Sequence, residues 1–419
     1  MLKITTVDTL IIILMFAFLP VDMVNGILLM NGINLPISFS QLFKLVILAL
    51  LLTRLLFTIK LFISASIVIF ILLIPSIYQV FHDPEDSSVF LDFIKISKYL
   101  TPFICFLFFV DALKHSKDKI YPLMLSLVKF SYVVLVLNIF VKYIGLGYPA
   151  YKSGGMGSKG YFYAGNEISA LLIILCSIIA FRLWNKGLKT KYFVFLALNL
   201  MAGLTISSKT GILGILLVFF IIPFQGKSLN LKRFFPLIVG AMCLLPLALL
   251  FSWQFITNSA IMVRIEFFYE KLDFWTFILS SRNVFLDNSF EVYLNEYNFI
   301  EKIIGVGQTK FELLNNSKVV EMDIMDIFFA YGVLGLFVFI TMLAFVLVQA
   351  KVFHRTNRRP YANLILMMVI ILIIISTFAG HVFGSGMSAI FIGILFSLMY
   401  VKSYIKNTTL LYLDGSFNK

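Results

Sequence analysis

Continuous apolar runs of bilayer-crossing length recur through almost the whole 419-residue chain, and they limit its fold more than any other feature. A helix that crosses a bilayer needs about 20 predominantly apolar residues. Twelve runs of this kind lie near 8–29, 37–57, 61–81, 90–113, 121–144, 166–184, 191–206, 210–225, 234–252, 323–349, 361–379 and 386–405. Only Ser207, Ser208 and Lys209 separate the seventh from the eighth. The charged fraction is 13%, about half that of a soluble domain, so too little polar surface is left to solvate one. A soluble cytoplasmic enzyme, a secreted disulfide scaffold and a disordered chain are excluded. An outer-membrane barrel is excluded as well, because its strands alternate and are only weakly apolar. The reading is an all-α polytopic membrane protein, residues 1–419 forming a single transmembrane domain.

The net charge of +13 suggests nucleic acid until it is divided by side. With the N-terminus inside and all twelve runs spanning, 20 of the 34 Lys and Arg residues fall in short inner segments, ten in the outer segments, and Lys44, Lys95, Lys98 and Lys129 within spans. This is the asymmetry of the positive-inside rule. Fusing the seventh and eighth runs would destroy it for every later loop. The expectation is therefore about twelve transmembrane helices with both termini cytoplasmic, and no nucleic-acid partner. The three cysteines lie in apolar runs and imply no disulfide. The first run is read as a span and not as a removed leader, because no small-residue cleavage site follows it.

The long segment 253–322, between the ninth and tenth runs, is expected outside the membrane. It is amphipathic, with Ile261, Ile265, Phe268 and Leu272 at helical spacing, so short helices are expected there. A second outer segment carries six glycines between Gly145 and Gly160 and reads as a loop.

Candidate chemistry gathers on the outer side. Ionisable groups within spans are functional candidates by default, although lysines near span ends can extend to the headgroups. Lys209 is a fixed cation in the turn LTISSKTGILG, with Gly211 and Gly214 behind it to allow close helix approach. Arg282 and Arg264 lie in the long outer segment, and arginine offers a planar fork for phosphate. Glu321, Asp323 and Asp326 enter the tenth span, the last two on one helix face. There a carboxylate can serve as a base, or simply complement the helix dipole. His381 stands between glycines in AGHVFGSG. No histidine shows metal-ligand spacing and no nucleotide motif is present, so neither metal nor cofactor is expected.

Taken in order, YAGNEISALL (Gly165, Asn166, Glu167), LTISSKTGIL, SSRNVFL followed by GVG, and EMDIMDIFFAYGVLG with Gly332 and Gly335 resemble the O-antigen polymerase and O-antigen ligase superfamily, the Wzy-type polymerases of surface polysaccharide. The resemblance covers roughly residues 160–400. It implies a multi-pass protein of the cytoplasmic (inner) membrane that transfers glycan from an undecaprenyl-pyrophosphate-linked oligosaccharide at the outer face. A flippase and a chain-length regulator are the partners it suggests. Lys209, Arg282 and Arg264 would hold the pyrophosphate, and the base would come from Glu321, Asp323 or His381. Tyr163, Asn166 and Glu167 would meet the glycan. Two departures bear on the acceptor. Lysine replaces the usual arginine at 209, and Glu321, Met322 and Asp323 stand where ligases place a histidine. The first keeps the charge but loses the bidentate fork, and the second favours O-antigen or capsule polymerase over ligase. A lipid-linked oligosaccharide flippase is the alternative from another class, disfavoured by candidates confined to one face and by the absence of a visible internal repeat.

Overall fold

A computed structural model describes residues 4–33, 35, 37–83, 88–150, 157–163, 165–224, 273–355, 359–378 and 380–402. Among these the chain is almost entirely helical and contains no strand. Its β-type pairing there is one bridge, Tyr148 to Gly160, in the glycine-rich segment that was expected to be non-helical.

Helices α1 (Ile4–Met15) and α2 (Phe18–Met30) follow each other closely, then come α3 (Phe39–Leu55), α4 (Ile59–His82), α5 (Val89–Phe140), α6 (Gly165–Asn185), α7 (Lys189–Ile206) and α8 (Lys209–Ile221). After the undescribed stretch come four short helices, α9 (Phe274–Leu279), α10 (Arg282–Asn295), α11 (Phe299–Ile304) and α12 (Gln308–Leu314). The chain closes with α13 (Asp323–Arg355), α14 (Ala362–Phe378) and α15 (Ala389–Ser397). Among the described residues, five helical stretches are long and apolar enough to cross a membrane: Ile4–Met30, Ile59–His82, Val89–Ile144, Glu167–Asn185 and Asp323–Arg355. Every apolar run read from the sequence falls on helix except 234–252, which lies outside the described residues. The helical spacing from Ile261 to Leu272 lies outside them too.

Local chemistry explains the boundaries. Ser38 opens α3 with a reciprocal capping box to Gln41. Ser207 turns left-handed (φ 61°) to end α7, and the Ser208 hydroxyl accepts the Gly211 N–H at 3.2 Å to start α8. Two helices therefore form on either side of three polar residues. Helix α5 has 52 residues, about 78 Å of helix, more than twice the apolar thickness of a bilayer. Ser116 leaves helical geometry (φ −148°) and divides it in two.

The bundle has two distinct polar ends. At one, Arg54 near the end of α3 meets Asp8 of α1 (2.5 Å) and Asp111 of α5 (3.0 Å), with the Thr58 hydroxyl also donating to Asp111. Tyr121 pairs with Tyr361 there, and Arg359 donates to the Tyr400 carbonyl. At the other end lie the starts of α5, α6, α8 and α13 and the ends of α4 and α14. Helix α6 runs parallel to α8, because a Cβ on Gly211 would meet Ser169 and one on Gly214 would meet Ile173. Every residue of α15 is buried, so it forms the bundle's axis, and Gly393 brings it directly against Cys105 of α5. The turn leading into α15 is thereby fixed at the centre of the second end.

Candidate functional site

The site is built around this turn, residues 380–388. Ser280 and Ser281 are both left-handed (φ 55° and 66°) and make the corner that places Arg282 at the start of α10. Nε of Arg282 donates to the Glu321 carbonyl at 3.1 Å, Nη2 to Glu321 Oε2 at 3.1 Å, and Nη1 to the Leu279 carbonyl at 3.4 Å. A guanidinium has five N–H donors, so two remain for another acceptor. The other oxygen of Glu321 lies 3.7 Å from Nε2 of His381. Glu321 (φ 62°) and His381 (φ 53°) are left-handed as well. Each such non-glycine residue costs on the order of 1–3 kcal/mol and persists only where the surroundings hold it. That strain is concentrated on residues that touch one another here.

Arg282, Glu321 and His381 thus form one chain of charge from two loops and a short helix. The nearby His381 holds the Glu321 carboxyl below its ordinary range, against burial, with Arg282 adding to the effect. Burial alone would lower the His381 value, but the carboxylate of Glu321 beside it outweighs that and raises the imidazole.

Asp323 does something different. Its Oδ2 accepts the N–H groups of Val382 and Phe383 (both 2.8 Å) and the Ser376 hydroxyl (3.0 Å), and its Oδ1 accepts the Gly384 N–H at 3.3 Å. It is 2% exposed, against 36% for the Glu321 side chain and 26% for that of His381. Of the three candidate bases, only Glu321 and His381 are open to a reactant. Asp326 accepts the Val320 N–H at 2.9 Å and so closes the turn before α13.

Glu167, in the first turn of α6, accepts the Ser385 hydroxyl (2.6 Å) and the Met387 N–H (3.0 Å). It anchors the other limb of the same turn. Tyr163 is exposed, with the Lys159 ammonium over its ring, and Asn166 lies in the first turn of α6. Lys209 is the first residue of α8, at the same end of the bundle, where α8 approaches α14 through Gly214 and Ile375. Arg264 lies outside the described residues. The structure therefore brings Arg282, Glu321, Asp323, His381 and Glu167 to one turn.

Sequence reading missed Ser376, Ser385 and Tyr99, whose hydroxyl would lie 2.8 Å from a Cβ on Gly384. The glycines around His381 were the available signal, because they mark backbone that must be approached closely. Among the described residues no group of three or more His, Cys, Asp and Glu could hold a metal ion.

Residues 263–406 match the family model described as O-antigen ligase like membrane protein. Over that segment the match agrees with the resemblance of the motifs to the O-antigen ligase and polymerase superfamily. It spans the segment that supplies Arg282, Glu321, Asp323 and His381. No curated protein matches the chain.

Proposed function

We propose that this chain is a surface-polysaccharide polymerase of the cytoplasmic membrane, joining undecaprenyl-pyrophosphate-linked glycan to another lipid-linked repeat unit at the outer face. The observation that carries this reading is the contact of Arg282, Glu321 and His381 at one end of the bundle, within the segment matched by the family. The class of membrane enzyme of O-antigen or polysaccharide assembly rests on that match. Twelve spans with both termini inside remain the topology proposed, with 253–322 outside. The alternation of helix ends among the described residues supports it, as does the crowding of Arg54, Lys117, Arg359 and Lys402 at the opposite end.

In the proposed reaction an acceptor hydroxyl attacks the anomeric carbon of the donor. The bond from that carbon to phosphate oxygen breaks, and its electron pair leaves on the pyrophosphate. The hydroxyl proton passes to the Glu321–His381 pair. Arg282, through its two remaining N–H groups, neutralises the departing charge together with Lys209. Preorganised donors of this kind contribute about 3–4 kcal/mol each to the barrier, and the leaving group supplies the driving force. Glu167 and Asp323 hold the turn, while Tyr163 and Asn166 flank the approach to α6.

Glycolipid mass spectrometry of a deletion strain carrying Arg282→Ala or Lys209→Ala tests the reading. Single repeat units on the normal anchor, at undiminished protein level, are expected. Long chains retained on undecaprenyl pyrophosphate would point to ligase, an absence of outer glycan to a flippase, and normal chain length would remove both cations from the site.

A further inference from the structure

Beside the Arg282–Glu321–His381 chain, the turn into α15 carries a second set of groups that the proposed reaction has not used. Ser385 and Gly386 are buried, yet among the described residues neither backbone N–H meets an acceptor. Buried N–H groups without partners are rare in folded proteins, and they mark places where an acceptor is supplied from outside. Two lysines reach the same place from different helices. A Cβ on Gly386 would lie 3.3 Å from the Lys44 ammonium and 4.0 Å from Cγ of Lys98.

The charges nearby are divided unequally. Lys44 is paired with Asp22 at 2.7 Å. Glu167 feels both Lys98 and Lys44, but its hydrogen bonds go to Ser385 and Met387. Lys98 is half-buried and forms no ion pair or hydrogen bond with any described residue. A lysine in this state on a membrane helix is costly unless it serves an anion. The site is also close to the reaction centre, since Ser385, which donates to Glu167, lies in the same turn as His381. Beside the turn, Tyr99, Phe103, Phe106, Phe339 and Phe383 line a narrow apolar cleft.

We propose that Lys98, with Lys44 and the N–H groups of Ser385 and Gly386, binds a phosphate of the polyprenyl diphosphate. This rests on the proposed function and adds to it a second phosphate receptor on the turn that carries His381. Successive backbone N–H groups backed by cations are a general solution for phosphate. Lys98 fixes the headgroup before transfer, and Arg282 meets the charge that develops during it.

The test uses the full chain in nanodiscs of zwitterionic lipid, with polyprenyl diphosphate as the titrated probe. Inorganic pyrophosphate and phosphatidylglycerol serve as competitors. Lys98→Met should weaken binding of the diphosphate by roughly 10–100-fold, as loss of a charged hydrogen-bond partner does, with an unchanged melting temperature. Lys98→Arg should restore most of the affinity, and inorganic pyrophosphate should compete. Equal affinity in Lys98→Met and the unaltered protein overturns this site while leaving the proposed function standing. Competition by phosphatidylglycerol as strong as that by pyrophosphate makes it a phospholipid headgroup site and overturns the assignment. Failure of the unaltered protein to bind the diphosphate overturns both.

Discussion

The carbonyl oxygen of Glu321 occupies the space where a side chain on Gly380 would stand, and Gly380 itself holds a φ of 60°. The same oxygen accepts Nε of Arg282 at 3.1 Å. One backbone atom therefore joins the Arg282 helix, the entry to α13 and the turn that carries His381.

Gly380→Ala is expected to disrupt this junction. The left-handed backbone alone costs on the order of 1–3 kcal/mol for a non-glycine residue, and the overlap with Glu321 adds to it. Polymer length should collapse and the melting temperature should fall. A normal glycan ladder from this variant would show that the junction does not set the site's geometry.

Stability should depend on pH through Glu321 and His381. The carboxyl is lowered from 4.5, so its contribution is complete above that value and is lost as pH falls through the folded-state pKa. The imidazole is raised from 6.5, so its contribution is complete below that value and is lost as pH rises through the folded-state pKa. The pair is fully effective between about 4.5 and 6.5. The difference in melting temperature between the unaltered protein and His381→Gln should be largest in that interval, and a flat difference from pH 4 to 9 would contradict the pairing.

Asp323 should behave as a structural clamp. In Asp323→Asn, an amide can accept with only one of its two atoms, so either the Gly384 N–H or the three donors on Oδ2 lose their acceptor. Each buried donor left unpaired costs about 1–3 kcal/mol. Stability and polymer should fall together. In Arg282→Ala, by contrast, polymer should vanish while stability changes much less. A stable but inactive Asp323→Asn would instead return Asp323 to the list of bases.

At the opposite end, Arg54→Ala leaves Asp8 and Asp111 buried without their counter-ion. Breaking such a pair costs about 3–5 kcal/mol. The amount of protein in the membrane should drop sharply, and Asp8→Asn combined with Asp111→Asn should restore part of it. Unchanged abundance of the single variant would show that water reaches this cluster.

The helices were legible because each carries its own information: apolar length, a capping serine, a left-handed stop. The turn at Ser207–Lys209 was readable from three polar residues for the same reason. What the sequence hid was pairing over distance. Arg54 reads as one more inner-loop charge, yet it is 1% exposed, because its acids come from α1 and α5. Glu321 and His381 stand 60 residues apart, and no spacing rule links them. Asp323 reads as a base or a dipole partner, and only the folded turn reveals four donors waiting for it. The glycines of GVG became intelligible in the same way. Gly305 packs against the break at Gly332 in α13, and the Gly307 N–H donates to the Ala330 carbonyl at 2.8 Å.

The short helices α11 and α12 are fastened to the membrane bundle by carboxylates. Asp92 of α5 accepts both the N–H and the hydroxyl of Thr309 at 2.6 Å, and Glu301 accepts Gln79 of α4 at 2.7 Å. Elements tied in this way move as one cooperative block with the helices beneath them. They form a fixed rim and not a swinging lid. On the proposed function, a lipid-borne substrate would then enter sideways from the leaflet, beneath that rim.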